Sequence, residues 1–111
     1  MEPEIFFKAL SDTTRLRCIH LLVVSNELCV CELTQVLKLP QPKISHHLSY
    51  LRKSNLVIDR KEGLWIYYRI NHELPEWSLD IIKNFSAGME YEPFIGDKYC
   101  LENDIDNICN S

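Results

Sequence analysis

Residues 30–53 read VCELTQVLKLPQPKISHHLSYLRK and decide the fold. In the second half of this segment, Ile44, Leu48 and Leu51 recur at the spacing of one helix face. Pro42 falls in the first turn of that helix, where its missing N–H leaves no hydrogen bond unmade. The first part of the segment predicts a shorter helix, and the KLP tripeptide predicts a tight connection. Two helices joined in this way indicate a helix-turn-helix.

The spacing of apolar residues changes from a period of about 3.6 residues to a period of about 2 immediately after this segment. Residues 57–61 and 64–70 are rich in β-branched and aromatic side chains, which is typical of strands. Glu62 and Gly63 form the expected turn between them, because glycine adopts the positive φ that a tight hairpin needs. A helix-turn-helix followed by a hairpin predicts a mainly α fold with a β-hairpin wing (α+β), the winged helix-turn-helix.

Positive charge is concentrated in the same region. The chain has a net charge of −4, but residues 38–69 carry seven basic and two acidic side chains, and residues 70–111 carry two basic and nine acidic ones. This asymmetry is typical of a DNA-binding surface, although a charged run is more often a solvated face. His47 adjoins the buried face, so we expect it to be packed. The candidate DNA-binding residues are Gln41, Lys43, Ser45, His46 and Ser49 on the second helix, and Arg60 and Lys61 on the hairpin.

Two cysteines, Cys29 and Cys31, lie where the shorter helix is expected to begin. Residues i and i+2 point to nearly opposite sides of a regular helix. An ion that binds both sulfurs would therefore distort the helix, and thiolates select soft ions. Cysteine is also a common small buried hydrophobe, which is the structural alternative. The odd total of five cysteines and the lack of a signal sequence favour thiol chemistry in a reducing cytoplasm.

The flanking segments predict further helices and an interface. Residues 16–23 carry the apolar stripe of a core helix, for which Ser11 or Asp12 is the expected cap. Residues 3–10 and 75–88 are amphipathic and together carry more apolar surface than one small core needs. We expect that surface to form the interface of a symmetric homodimer.

The chain divides into one domain and a tail. We expect residues 1–89 to form a DNA-binding and dimerisation domain, and residues 90–111 to form an acidic, mobile or loosely packed C-terminal tail. No apolar run reaches the roughly 18 residues of a membrane span, so no membrane partner is expected. An enzyme is not expected either, because the chain lacks a glycine-rich phosphate loop, a catalytic triad and a carboxylate pair.

Three segments resemble the ArsR/SmtB family of winged-helix repressors, and within it the arsenical resistance repressors. They are ELCVCEL at 27–33, QPKISHHL at 41–48 and DRKEGLW at 59–65. The resemblance covers about residues 4–85 and implies a homodimer that binds operator DNA. It also implies release of that DNA when As(III) or Sb(III) binds Cys29 and Cys31, with no organic cofactor. Binding would pull the two sulfurs together, distort the helix and shift its neighbour, the DNA-reading helix.

One position departs from the family's motif. Arsenite prefers three thiolates, but Thr34 stands where the family's third cysteine is expected. The third ligand stays open between Cys100, Cys109, a small-molecule thiol and no third sulfur at all. Two alternative functions also remain: a repressor that senses a divalent soft metal such as Cd, Pb or Zn, and a thiol redox switch.

Overall fold

The computed structural model describes residues 1–103. This part of the chain forms six helices and a three-stranded antiparallel sheet with the order β1-β3-β2. The elements are α1 (Pro3–Ala9), α2 (Thr13–Ser25), β1 (Leu28–Cys29), α3 (Val30–Leu37), α4 (Gln41–Lys53), β2 (Val57–Glu62), β3 (Trp65–Ile70), α5 (Glu76–Ala87) and α6 (Phe94–Asn103).

The helix-turn-helix prediction is confirmed by α3 and α4. Ile44, Leu48 and Leu51 are fully buried on the inner face of α4. The connection is tight because Lys38 takes the left-handed conformation at the end of α3, with φ of 56°. The buried face of α3 is formed by Leu33, Val36 and Leu37. Each fully buried Leu or Ile side chain contributes about 1.5–3 kcal/mol by leaving water, so this shared core fixes α3 against α4.

The predicted wing is present, with its turn one residue later than expected. Glu62 still pairs with Trp65, so the loop consists of Gly63 and Leu64. Gly63 has φ of 61°, as the hairpin prediction requires. The wing also has a third strand that the sequence did not predict, because β1 pairs with β3 through Leu28 and Cys29.

The structure differs from the expected mobile or loosely packed tail at α6, which packs against α2 and α3. The Phe94 ring makes edge contacts with Phe85 and His20 at centroid distances of 5.6 and 5.9 Å. Asp97 is buried and accepts two hydrogen bonds of 2.8 Å from Arg17 on α2. These few specific contacts hold α6, which explains why no sustained apolar stripe indicated it. Residues 104–111, including Cys109, lie outside the described residues.

Acidification is expected to weaken the fold through His20. His20 is buried, and its Nδ1 lies 2.8 Å from the Ser86 hydroxyl. Burial lowers the pKa of His20, and Lys98 lowers it further, whereas Asp97 opposes the shift. The unfolded chain therefore binds this proton more readily than the folded chain. The free energy of unfolding should fall as the pH drops below about 6.5. The loss is up to about 1.4 kcal/mol for each unit by which the pKa of His20 in the folded chain lies below its pKa in the unfolded chain.

Urea unfolding between about pH 7.5 and pH 5 checks this expectation. His20→Gln removes the titrating group and keeps a polar partner for Ser86, so the variant should lose less stability than the wild type on acidification. An equal decline in both proteins would contradict the assignment.

An exposed aromatic patch lies where α1 meets α5. Ile5, Phe7 and Trp77 are 45%, 51% and 38% exposed. Phe6 beneath them is fully buried, and its ring meets that of Trp77 at a centroid distance of 5.2 Å. This is the apolar surface for which the sequence predicts a homodimer. None of the helices described within residues 1–103 is long and apolar enough to cross a membrane.

Candidate functional site

The two cysteines come together without any distortion of a helix. Cys29 is the last residue of β1 and the N-cap of α3, with an extended backbone of φ −84° and ψ 163°. Cys31 lies in the first turn of α3. The Sγ atoms of Cys29 and Cys31 are 3.3 Å apart. The sequence prediction that an ion bound by both sulfurs would distort the helix assumed helical geometry at Cys29, and this assumption is wrong.

The spacing of the two sulfurs fits a single soft ion. Sulfur ligands bind such ions at about 2.3 Å, so two sulfurs on one ion lie roughly 3–4 Å apart. Cys29 is 2% exposed, and burial raises the pKa of its thiol. The Glu32 side chain also raises that pKa, and its Oε1 accepts a 2.9 Å hydrogen bond from the Cys29 N–H. Ligation would therefore displace a proton from Cys29.

The third ligand is not supplied by a nearby cluster in the described part of the chain. Within residues 1–103, no group of three or more His, Cys, Asp or Glu side chains could hold a metal ion. Cys100 is half-buried on α6 and packs against the hydrophobic core. The Thr34 hydroxyl donates a 2.9 Å hydrogen bond to the Val30 carbonyl, so it serves α3 itself. The structure therefore brings together Cys29 and Cys31, and the role of Cys109 stays a prediction.

An open cleft of about 320 Å³ connects the cysteine site to the helix-turn-helix and the wing. Cys31 lines one side of it, Gln41 and Ser45 of α4 line another, and Trp65 and Tyr68 belong to β3. The cleft therefore places Cys31 close to the beginning of α4. No pattern in the sequence predicts this cleft, because its walls come from three separate elements.

Four of the candidate DNA-binding residues of α4, namely Lys43, Ser45, His46 and Ser49, lie away from its buried stripe, and Gln41 lies at the N-terminal end of the helix. Gln41, Lys43 and His46 are exposed, whereas Ser45 and Ser49 are half-buried. Together they present amide, ammonium, hydroxyl and imidazole groups, which are the side-chain groups that contact base edges and phosphates. Their contact with DNA stays a prediction.

His47 is packed as predicted, and its contacts with Arg15 and Asp12 hold α4 against α2. Its Nδ1 lies 3.3 Å from an Arg15 nitrogen and 3.7 Å from the Asp12 carboxylate. Burial lowers the pKa of His47. The Arg15 guanidinium also lies over the Tyr50 ring at 4.1 Å. Asp12 itself accepts a hydrogen bond from the Arg15 N–H, which confirms it as the predicted cap of α2.

The wing residues Arg60 and Lys61 are both exposed, but Arg60 is already paired within the chain. Its guanidinium binds Glu27 and Glu62 at distances of 2.7–2.9 Å. The hydrogen bond to Glu27, followed by that to Glu62, raises the pKa of Arg60. Sequence reasoning missed Glu27, because only the pairing of β1 with β3 brings residues 27 and 60 together.

These elements define the class of the protein. A helix-turn-helix with a polar and basic outer face, followed by a hairpin wing, is the structure of a winged-helix transcriptional regulator. Solved structures agree. HlyU from Vibrio cholerae has a TM-score of 0.68 at 29% identity, and the alignment covers 78% of this chain and 96% of that one. The AntR antimony-specific transcriptional repressor has a TM-score of 0.62 at 29% identity, covering 72% and 69%.

The chain belongs to the ArsR family, because the profile described as bacterial regulatory protein, arsR family, matches residues 12–59 and close relatives match a longer region. The arsenic resistance transcriptional regulator ArsR1 of Pseudomonas putida is 51% identical over 77 residues, which are 69% of this chain and 60% of that protein. The arsenical resistance operon repressor of Escherichia coli is 49% identical over 80 residues, or 72% and 68% of the two chains. The cadmium resistance regulatory protein CadC of Listeria innocua is 42% identical over 67 residues, or 60% and 56%. These relatives are transcriptional regulators rather than enzymes, in agreement with the sequence prediction.

Proposed function

We propose that this protein is a transcriptional repressor that binds operator DNA as a homodimer and is released when As(III) or Sb(III) binds Cys29 and Cys31. The observation that carries the proposal is the 3.3 Å sulfur pair at the beginning of α3. The relatives named for arsenic and the structure named for antimony support the same inducer class.

The fold supplies a direct route from the sulfur pair to the DNA-reading helix. Cys29 and Cys31, as thiolates, would hold the trivalent ion and so connect the end of β1 to the first turn of α3. The helix α3 packs on α4 through Leu33, Val36 and Leu37, so a shift of α3 moves α4. A dimer reads half-sites about 34 Å apart, and a small rotation in each protomer spoils both contacts. Such coupling typically amounts to about 1–3 kcal/mol.

Titration of four agents against a DNA complex tests this function. A duplex selected from a random pool by the purified protein serves as operator, and fluorescence anisotropy reports its release. Micromolar arsenite and antimonite should release the DNA, whereas Cd²⁺ and peroxide should have little effect. Release by Cd²⁺ alone would favour the divalent-metal alternative, which the CadC relative supports. Release by peroxide alone would favour the redox alternative, which the 3.3 Å separation of the Cys29 and Cys31 sulfurs supports.

The exposed aromatic patch is expected to be the dimer interface. Phe7→Glu places a charge on this patch and leaves the buried Phe6 in place. The variant should dimerise at least about tenfold more weakly, because an unpaired charge at an apolar interface is strongly disfavoured. Sedimentation at several protein concentrations measures this change. Leu64→Glu, at the 95% exposed wing tip, is the matched control and should dimerise like the wild type. Equal dimerisation of all three proteins would place the interface elsewhere.

A further inference from the structure

Arg60 is held between two carboxylates in the geometry that arginine also uses to bind phosphate. Its Nε lies 2.9 Å and its Nη2 2.7 Å from the two oxygens of Glu27. Its Nη1 lies 2.7 Å from Glu62 Oε2. The guanidinium also stacks over the Tyr67 ring at 4.5 Å. The planar, two-bond contact with Glu27 is the same pattern that a DNA phosphate would offer.

These ion pairs are open to competition. The side chains of Arg60, Glu27 and Glu62 are 49%, 28% and 66% exposed. Exposed ion pairs contribute little net stability, because water and salt screen them. A phosphate that approaches the wing can therefore replace Glu27 without disturbing the core.

The two carboxylates differ in where they are attached. Glu62 lies on β2, as Arg60 does, so it moves together with Arg60. Glu27 precedes β1, two residues before Cys29, and follows a turn in which Asn26 has φ of 68°. The contact between Glu27 and Arg60 therefore depends on how the cysteine strand lies against the wing.

We infer that Glu27 is an intramolecular competitor of the DNA backbone: it occupies Arg60 in the DNA-free protein and yields it to a phosphate in the complex. Glu27 thereby lowers the affinity for DNA and connects the strand that carries Cys29 to the wing. This inference rests on the DNA-binding part of the proposed function and does not depend on which ion is the inducer.

The test compares DNA affinities of four proteins as a function of salt. Glu27→Gln keeps the size of the side chain but removes its charge, and should bind the selected duplex about 3- to 10-fold more tightly in about 0.1 M salt. Arg60→Ala should bind more weakly. Its plot of log K against log salt should be shallower by about 1.8, which is about 0.9 for each protomer's lost phosphate contact.

The double variant separates direct competition from a general effect of charge. If Glu27 acts through Arg60, Glu27→Gln should give no gain in an Arg60→Ala background. A gain of equal size in both backgrounds overturns the inference, because it would reflect only the lost negative charge. Unchanged or weaker binding by Glu27→Gln also overturns it and leaves the proposed function intact. If the wild type binds no duplex, both the proposed function and the inference are wrong.

Discussion

Replacing Cys29 or Cys31 with serine is expected to leave DNA binding within about threefold of the wild type, since neither change touches the outer face of α4. Release by arsenite should be lost in both variants, because a hydroxyl does not replace a thiolate as a ligand of a soft ion. The affinity of the wild type for DNA should fall by roughly 5- to 150-fold on adding arsenite, which is the usual range for coupled ligands. Anisotropy titrations with and without arsenite measure both quantities.

Two further cysteine variants serve as controls for this result. Cys18 is fully buried, and burial raises its pKa to about 12, so Cys18→Ala should respond to arsenite like the wild type. Cys100→Ser tests whether the C-terminal segment supplies the third ligand. If arsenite no longer releases DNA from this variant, Cys100 is that ligand. A normal arsenite response in Cys29→Ser or Cys31→Ser would show that the sensor lies elsewhere.

Among the proposed substitutions, removal of Arg17 is expected to cause the largest decrease in the free energy of unfolding. Arg17→Met leaves the Asp97 carboxylate buried without its partner, and the Asp97 side chain is only 5% exposed. Breaking a buried ion pair from one side typically destabilises a protein by about 3–5 kcal/mol. Arg17 also donates a 3.4 Å hydrogen bond to the Leu37 carbonyl, so the change loosens the end of α3 as well. The melting temperature should fall by more than about 10 °C.

The double variant Arg17→Met/Asp97→Leu distinguishes this cause from a general loss of packing. It removes both charges and should recover most of the lost stability, because an apolar pair of similar volume replaces a buried ion pair well. Urea unfolding at a fixed protein concentration measures all three proteins. A double variant that is no more stable than Arg17→Met would contradict this account of α6.

Elements with their own local signal could be predicted from the sequence. The stripe of Ile44, Leu48 and Leu51 and the positive φ of Gly63 each depend on a few neighbouring residues, so α4 and the wing were expected at nearly their observed positions. By contrast, β1 is two residues long and exists only because β3 lies beside it. No local pattern can indicate such a strand.

The candidate site was predictable in its members but not in its geometry. The spacing of Cys29 and Cys31 pointed to a soft-ion site, whereas their 3.3 Å contact depends on the extended backbone of Cys29. The pairing of Glu27 with Arg60 spans 33 residues and follows from the same strand. Long-range contacts of this kind arise from the assembled sheet, and no periodicity of the chain encodes them.

The short length of β1 also bears on whether the proposed sensor can be used repeatedly. A strand of two residues, joined to the sheet at Leu28 and Cys29, is expected to open locally at less than the free energy needed to unfold the domain. The cysteine segment can therefore leave the sheet and return while the buried stripe of α4 stays intact. If the proposed function holds, the response should be reversible, and one molecule should pass through many cycles of exposure and recovery without refolding.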